Sequence, residues 1–60
     1  MMLDECFKTL IRYGKIEKDM EFKDIRVYHI CYENIIYSIL KKNGRVEKIE
    51  VIGWLLVENL

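Results

Sequence analysis

Length, composition and charge narrow the classes of protein to which this chain can belong. Its 60 residues fit one small domain, 1–60, with a hydrophobic share of 52%, and a domain of this size buries only about 60% of the surface that its unfolded form exposes. Ten basic and ten acidic residues cancel, so the overall basic excess typical of nucleic-acid-binding proteins is missing.

Membrane, secreted and metal-dependent classes are also disfavoured. The longest apolar stretch, Trp54 to Val57, is far shorter than the roughly 20 residues of a membrane-spanning helix. Cys6 and Cys31 form no C-x-x-C pair and no apolar leader precedes them, which predicts a cytoplasmic protein with two buried free thiols. His29 with these cysteines matches no zinc-binding spacing, so we expect neither a metal nor a cofactor.

A helix is predicted at the N-terminus. Asp4 is a suitable N-cap, and Glu5 follows in the first turn, where a negative charge is favourable. Apolar residues then recur on one helical face at the three-and-four spacing, namely Leu3, Phe7, Leu10 and Ile11. Gly14 is predicted to end the helix. The charged segment from Lys15 to Asp24 is interpreted as a connector, with a short strand around Met20 to Lys23 as the alternative.

Strands are predicted from Ile25 onwards. Residues 25–32 and 35–40 alternate with apolar side chains on both faces, and Glu33 with Asn34 forms a tight turn between them. Asn43-Gly44 predicts a type I′ hairpin leading to a third strand over 46–52, whose polar side suits a sheet edge. Residues 53–60 are either a bulged continuation of this strand or a short helix.

The predicted fold is therefore α+β, with an N-terminal helix packed on a three-stranded antiparallel sheet and a C-terminal segment as an extra strand or short helix. One helix covers only one face of a sheet, whereas the first two strands are apolar on both. The second face needs cover from the C-terminal segment, from a second copy in a homodimer, or from a protein partner.

No side chains form a convincing catalytic arrangement. Glycine-rich phosphate loops and nucleophile motifs are missing. His29 and Cys31 share one strand face, which is also the arrangement of a Cys–His nucleophile pair, but a half-buried histidine beside a core thiol is the favoured interpretation. We therefore predict that the protein is not an enzyme.

Two interaction hypotheses remain. The first is a small regulator or inhibitor acting by protein–protein contact through amphipathic side chains of the kind enriched at interfaces, namely Tyr28, Tyr32, Tyr37, Trp54 and Leu55. The alternative is a nucleic-acid-binding regulator that uses a basic hairpin tip and neighbouring tyrosines for stacking; the tip consists of Lys41, Lys42, Arg45 and Lys48.

Overall fold

A computed structural model describes residues 2–55 of the chain. Helix α1 spans Met2–Tyr13 and is followed by strands β1 (Lys15–Phe22), β2 (Ile25–Tyr32), β3 (Ile35–Lys42) and β4 (Arg45–Trp54). The strands form one antiparallel sheet in the order β1-β2-β3-β4. The expected combination of an N-terminal helix with an antiparallel sheet is thus confirmed.

The structure differs from the sequence prediction at the start of the helix and in residues 15–22. The helix begins at Met2, so Asp4 and Glu5 lie inside its first turn and Asp4 is not the N-cap. Residues 15–22 form a complete strand, longer than the short strand around Met20 to Lys23 that was the alternative to a connector, and this strand is the fourth of the sheet. Every side chain of β1 is exposed. The strand is therefore defined by its hydrogen bonding to β2, an interaction that produces no apolar period in the sequence.

The C-terminal prediction was resolved in favour of its strand alternative. Strand β4 continues through Gly53 and Trp54, and its register against β3 shifts between the Ile36 and Tyr37 pairings. A β-bulge of this kind adds one residue to a strand and interrupts its alternation. Residues 56–60, which the prediction also included, lie outside the described residues.

Two-residue turns connect the strands. Glu33 and Asn34 both have positive φ, as do Asn43 and Gly44, which is the requirement of a type I′ hairpin. Both turns were predicted from the sequence. The β1–β2 turn has positive φ at Lys23 and carries no glycine or asparagine, and for that reason the sequence did not reveal it.

The core lies between α1 and one face of the sheet. Leu10 packs with Tyr28, Ile30 and Ile39, and the latter two isoleucines are fully buried. The Phe7 ring lies 5.4 Å from the Tyr28 ring between centroids. Each such buried side chain contributes about 1.5–3 kcal/mol relative to an exposed one, so this layer holds the helix on the sheet.

Gly14 allows the end of the helix to approach the sheet. Its backbone N–H donates to the Leu10 carbonyl oxygen at 2.9 Å, so the predicted helix stop is confirmed. A Cβ atom at this position would collide with the Ile30 side chain and lie 2.6 Å from the Leu10 carbonyl oxygen. The glycine is therefore required for close packing, in addition to ending the helix.

Candidate interaction face

The strand register defines a second sheet face that α1 does not touch. Because side chains alternate across a sheet, the neighbours of buried Tyr28 and Ile30 along β2 point away from the helix. We call this surface the open face, and the register assigns to it Lys15, Lys18, Met20, Phe22, Ile25, Val27, His29, Cys31, Ile36, Ser38, Leu40, Lys42, Arg45, Lys48, Glu50 and Gly53. Among residues 2–55, no helix or strand packs over it.

One end of the open face is apolar. Phe22 is 70% exposed, Met20 51% and Ile25 38%, and half-buried Val27 and Leu40 continue the same surface on β2 and β3. We call these five residues the apolar patch. Four of them line a shallow depression together with Glu21. Contiguous exposed apolar side chains on a soluble protein commonly mark an interaction site.

Basic side chains border the apolar patch. Lys42 lies beside Ile25 on β3, Arg45 lies beside Lys42 on β4, and Lys48 lies beside Leu40. We call these three residues the basic flank. The ammonium group of Lys23 also lies 5.5 Å from the centre of the Phe22 ring. The even charge balance along the chain therefore conceals a segregation of charge across the sheet.

A polar row separates the apolar patch from the remaining part of the open face. Lys18 pairs with His29, His29 with Ser38, and Ser38 with Glu50, so one polar side chain from each strand lies in a line. Two-residue turns fix this register from the sequence, apart from the shift in β4. The positions of the turns in the sequence therefore indicate this polar row, which the alternation within any single strand does not reveal.

The predicted partner-binding residues differ in exposure, although the register places Tyr28, Tyr32, Tyr37 and Trp54 on the face of the sheet that carries α1. Tyr28 is 8% exposed and belongs to the core. Tyr32 and Tyr37 are half-buried on the helix face. Trp54 and Leu55 are exposed at the end of β4, where the Leu55 backbone N–H donates to the Asn34 carbonyl oxygen at 2.8 Å.

Tyr32 and Tyr37 take part in a second apolar feature. They line a groove of about 310 Å³ between α1 and the sheet, together with Glu5, Cys6, Thr9 and Leu10. Cys6 is exposed rather than buried as predicted, and both cysteines are free. Because Cys31 lies on the open face, the sheet separates it from the helix that carries Cys6.

The residues of the predicted basic tip also divide between the two faces. Lys41 lies on the helix face, with its ammonium group 4.8 Å from the centre of the Phe7 ring, while the other three form the basic flank. The tyrosines proposed as stacking surfaces for nucleic acid lie on the helix face as well. The sheet therefore separates the basic flank from these aromatic rings.

An ion pair fixes β1 to β2. The Arg26 guanidinium donates to both carboxylate oxygens of Asp19, at 2.9 and 2.8 Å, and lies 5.1 Å from the centre of the Tyr28 ring. This hydrogen bonding lowers the pKa of Asp19 from its ordinary value of 3.8 and raises the pKa of Arg26. Bidentate geometry of this kind is specific as well as attractive.

The lowered pKa of Asp19 leads to a prediction about how the stability of the fold changes in acid. A carboxyl group whose pKa is lower in the folded state stabilises the fold above the unfolded pKa, about 3.9, and loses this effect as pH falls through the folded value. We expect Asp19→Asn to be less stable than the wild type near neutral pH and the difference to vanish in strong acid. Urea unfolding across this pH range measures the difference in stability, with Glu17→Gln, an exposed position on the same strand, as the control. A difference that is independent of pH would contradict the role of this ion pair.

His29 and Cys31 share the open face, as the sequence predicted. No hydrogen bond to either side chain is found within residues 2–55. In the same part of the chain, no group of three or more metal-ligating side chains comes together, and no helix has the length and apolar character needed to cross a membrane.

No family model, curated protein or solved structure matches this chain. The geometry of the open face and the charges around it are therefore the features of this chain that bear on its function.

Proposed function

We propose that this protein is a small interaction module, a regulator or inhibitor that acts by binding another protein through the open face. The observation that carries this proposal is the apolar patch, whose largest members are more than half exposed and which no described element covers. Leaving Phe22 and Met20 in water forfeits the favourable free energy that their burial would provide. A partner that covers the patch recovers it.

The composition of the patch favours protein over nucleic acid. Its side chains are aliphatic apart from Phe22, and the Met20 side chain suits adaptable protein contacts. Proteins that bind single-stranded nucleic acid stack successive bases on several aromatic rings, and Phe22 provides one such ring. Homodimerisation stays a prediction, to be tested by light scattering at several protein concentrations.

Site-specific photocrosslinking in cells of the source organism tests the proposal. Phe22 is replaced by a benzophenone amino acid in one variant, and Tyr13, which is 65% exposed on the helix, is replaced in a control variant. We expect a discrete crosslinked protein from position 22 that is missing from position 13. Identical products at both positions would contradict the proposal, and so would crosslinking at position 22 to nucleic acid alone or to a second copy alone.

A further inference from the structure

We infer that the occupant of the open face is an amphipathic helix of the partner protein, with acidic residues along one side of its apolar stripe. This inference rests on the proposed function and names the chemistry of the partner. It depends on the arrangement of apolar and basic side chains across the strands, on the positive charges of Lys42 and Arg45, which form no ion pair within residues 2–55, and on the distance between the apolar patch and the basic flank.

Two cross-strand rows define the arrangement. One row runs Phe22, Ile25, Lys42, Arg45 from β1 to β4, and the next runs Met20, Val27, Leu40, Lys48. Both rows are apolar on β1 and β2 and basic on β4. Within these two rows the open face therefore changes from apolar to positively charged in the direction across the strands, and along the strands the arrangement ends at the polar row of Lys18, His29, Ser38 and Glu50.

The width of this arrangement fits one helix. Neighbouring strands lie about 4.8 Å apart, so side chains two strands apart are separated by about 10 Å. An α-helix with its side chains is about 10–12 Å in diameter. A helix lying along the strands would therefore contact the apolar side chains of β1 and β2 with its apolar stripe and the basic flank with one side.

Two of the three charges of the basic flank lack counterparts within residues 2–55. Lys42 and Arg45 are directly opposite each other, and like charges in this position are destabilising. Neither forms an ion pair with any residue in 2–55, while Lys48 lies 3.8 Å from Glu50. Carboxylates of an acidic helix would remove this repulsion, and the attraction would speed association and select the partner.

The same charges disfavour a second copy that binds through its own open face. Glu50 is the acidic residue that the register assigns to this face, and it already lies near Lys48. Packing two open faces together therefore supplies no carboxylate to Lys42 or Arg45. An acidic helix supplies these groups and covers the apolar patch at the same time.

Peptide binding to the purified full chain tests the inference. Three synthetic amphipathic helical peptides share one apolar stripe and differ only in their flanking side chains, which are Glu, Gln or Lys. Binding is measured by fluorescence anisotropy, and the contact surface is mapped by NMR chemical shifts. We expect the Glu peptide to bind about tenfold more tightly than the Gln peptide, since two or three exposed ion pairs provide an effect of this size. The advantage should decrease with salt.

Charge reversal provides the sharpest control. The double variant Lys42→Glu with Arg45→Glu should reverse the preference, so that the Lys peptide binds most tightly. The double variant Lys8→Glu with Arg12→Glu changes the net charge equally on exposed positions of the helix and should keep the preference for the Glu peptide. Circular dichroism verifies that both variants are folded.

Each other outcome overturns the inference. Equal binding of all three peptides would remove the preference for acidic partners while leaving the open face as a docking surface. Binding of the Glu peptide with shifts confined to the helix face, or no binding of the Glu peptide, would contradict the inference directly. Because photocrosslinking at position 22 is independent of partner charge, its result separates failure of this inference from failure of the proposed function.

Discussion

Ile30→Ala should lower the free energy of unfolding by about 2–5 kcal/mol, the usual cost of removing a fully buried aliphatic side chain. Ile30 is fully buried beneath α1, and the surrounding helix and strands can only partly close the cavity. A core of this size supplies about 3–5 kcal/mol of net stability. We therefore expect a large fraction of the Ile30→Ala variant to be unfolded at room temperature.

A matched substitution lies on the same strand. Replacing Ile25 by Ala removes the same atoms, but Ile25 lies on the open face and is 38% exposed. This substitution should therefore lower the free energy of unfolding by less than about 1 kcal/mol. Urea unfolding followed by circular dichroism compares the two variants. Equal losses would mean that the open face is covered as tightly as the helix face, and the interaction proposal would lose its foundation.

Gly14→Ala should have the second-largest effect, a loss of about 1–3 kcal/mol, which is typical of overpacking. The new methyl group would collide with Ile30 and approach the Leu10 carbonyl oxygen. To avoid this collision, the end of α1 must move away from β2, and this movement weakens the contacts of the core layer. The expected result is a lower melting temperature with unchanged strand content.

Gly53→Ala is the control for this prediction. Within residues 2–55, a Cβ atom at Gly53 meets only the Ile36 Cδ1 atom, at 3.9 Å, an ordinary van der Waals distance. Because alanine also loses less backbone entropy on folding than glycine, Gly53→Ala should leave stability unchanged or slightly increase it. Similar destabilisation by both substitutions would show that general loss of glycine flexibility, rather than the approach of α1 to β2, is responsible.

Local signals in the sequence predicted much of the fold. The apolar spacing of Phe7, Leu10 and Ile11 predicted the helix, and the Asn43-Gly44 pair predicted its hairpin, because both patterns follow from backbone geometry. Strand β1 was predicted only as the short alternative around Met20 to Lys23, because its stability comes from hydrogen bonds to β2 and from the Asp19–Arg26 ion pair. Neither interaction produces a period within residues 15–22.

The candidate site was predicted only in outline. The surplus of apolar strand surface was visible in the alternation of residues 25–32, but its location depended on which face α1 covers. Tyr28 was assigned to an interface because aromatic side chains favour both interfaces and cores, and the structure places it in the core. Phe22 and Met20, the most exposed members of the apolar patch, lay in the segment interpreted as a connector.

The accessibility of isoleucine methyl groups to a soluble paramagnetic gadolinium chelate tests the central claim most directly. With the δ1 methyl groups labelled, we expect strong relaxation enhancement at Ile25, on the open face, and little at Ile30 and Ile39, beneath the helix. The three methyl groups share one chemical type, so the difference reports exposure alone. Equal protection of all three in the isolated protein would contradict an uncovered second face and the interaction function derived from it.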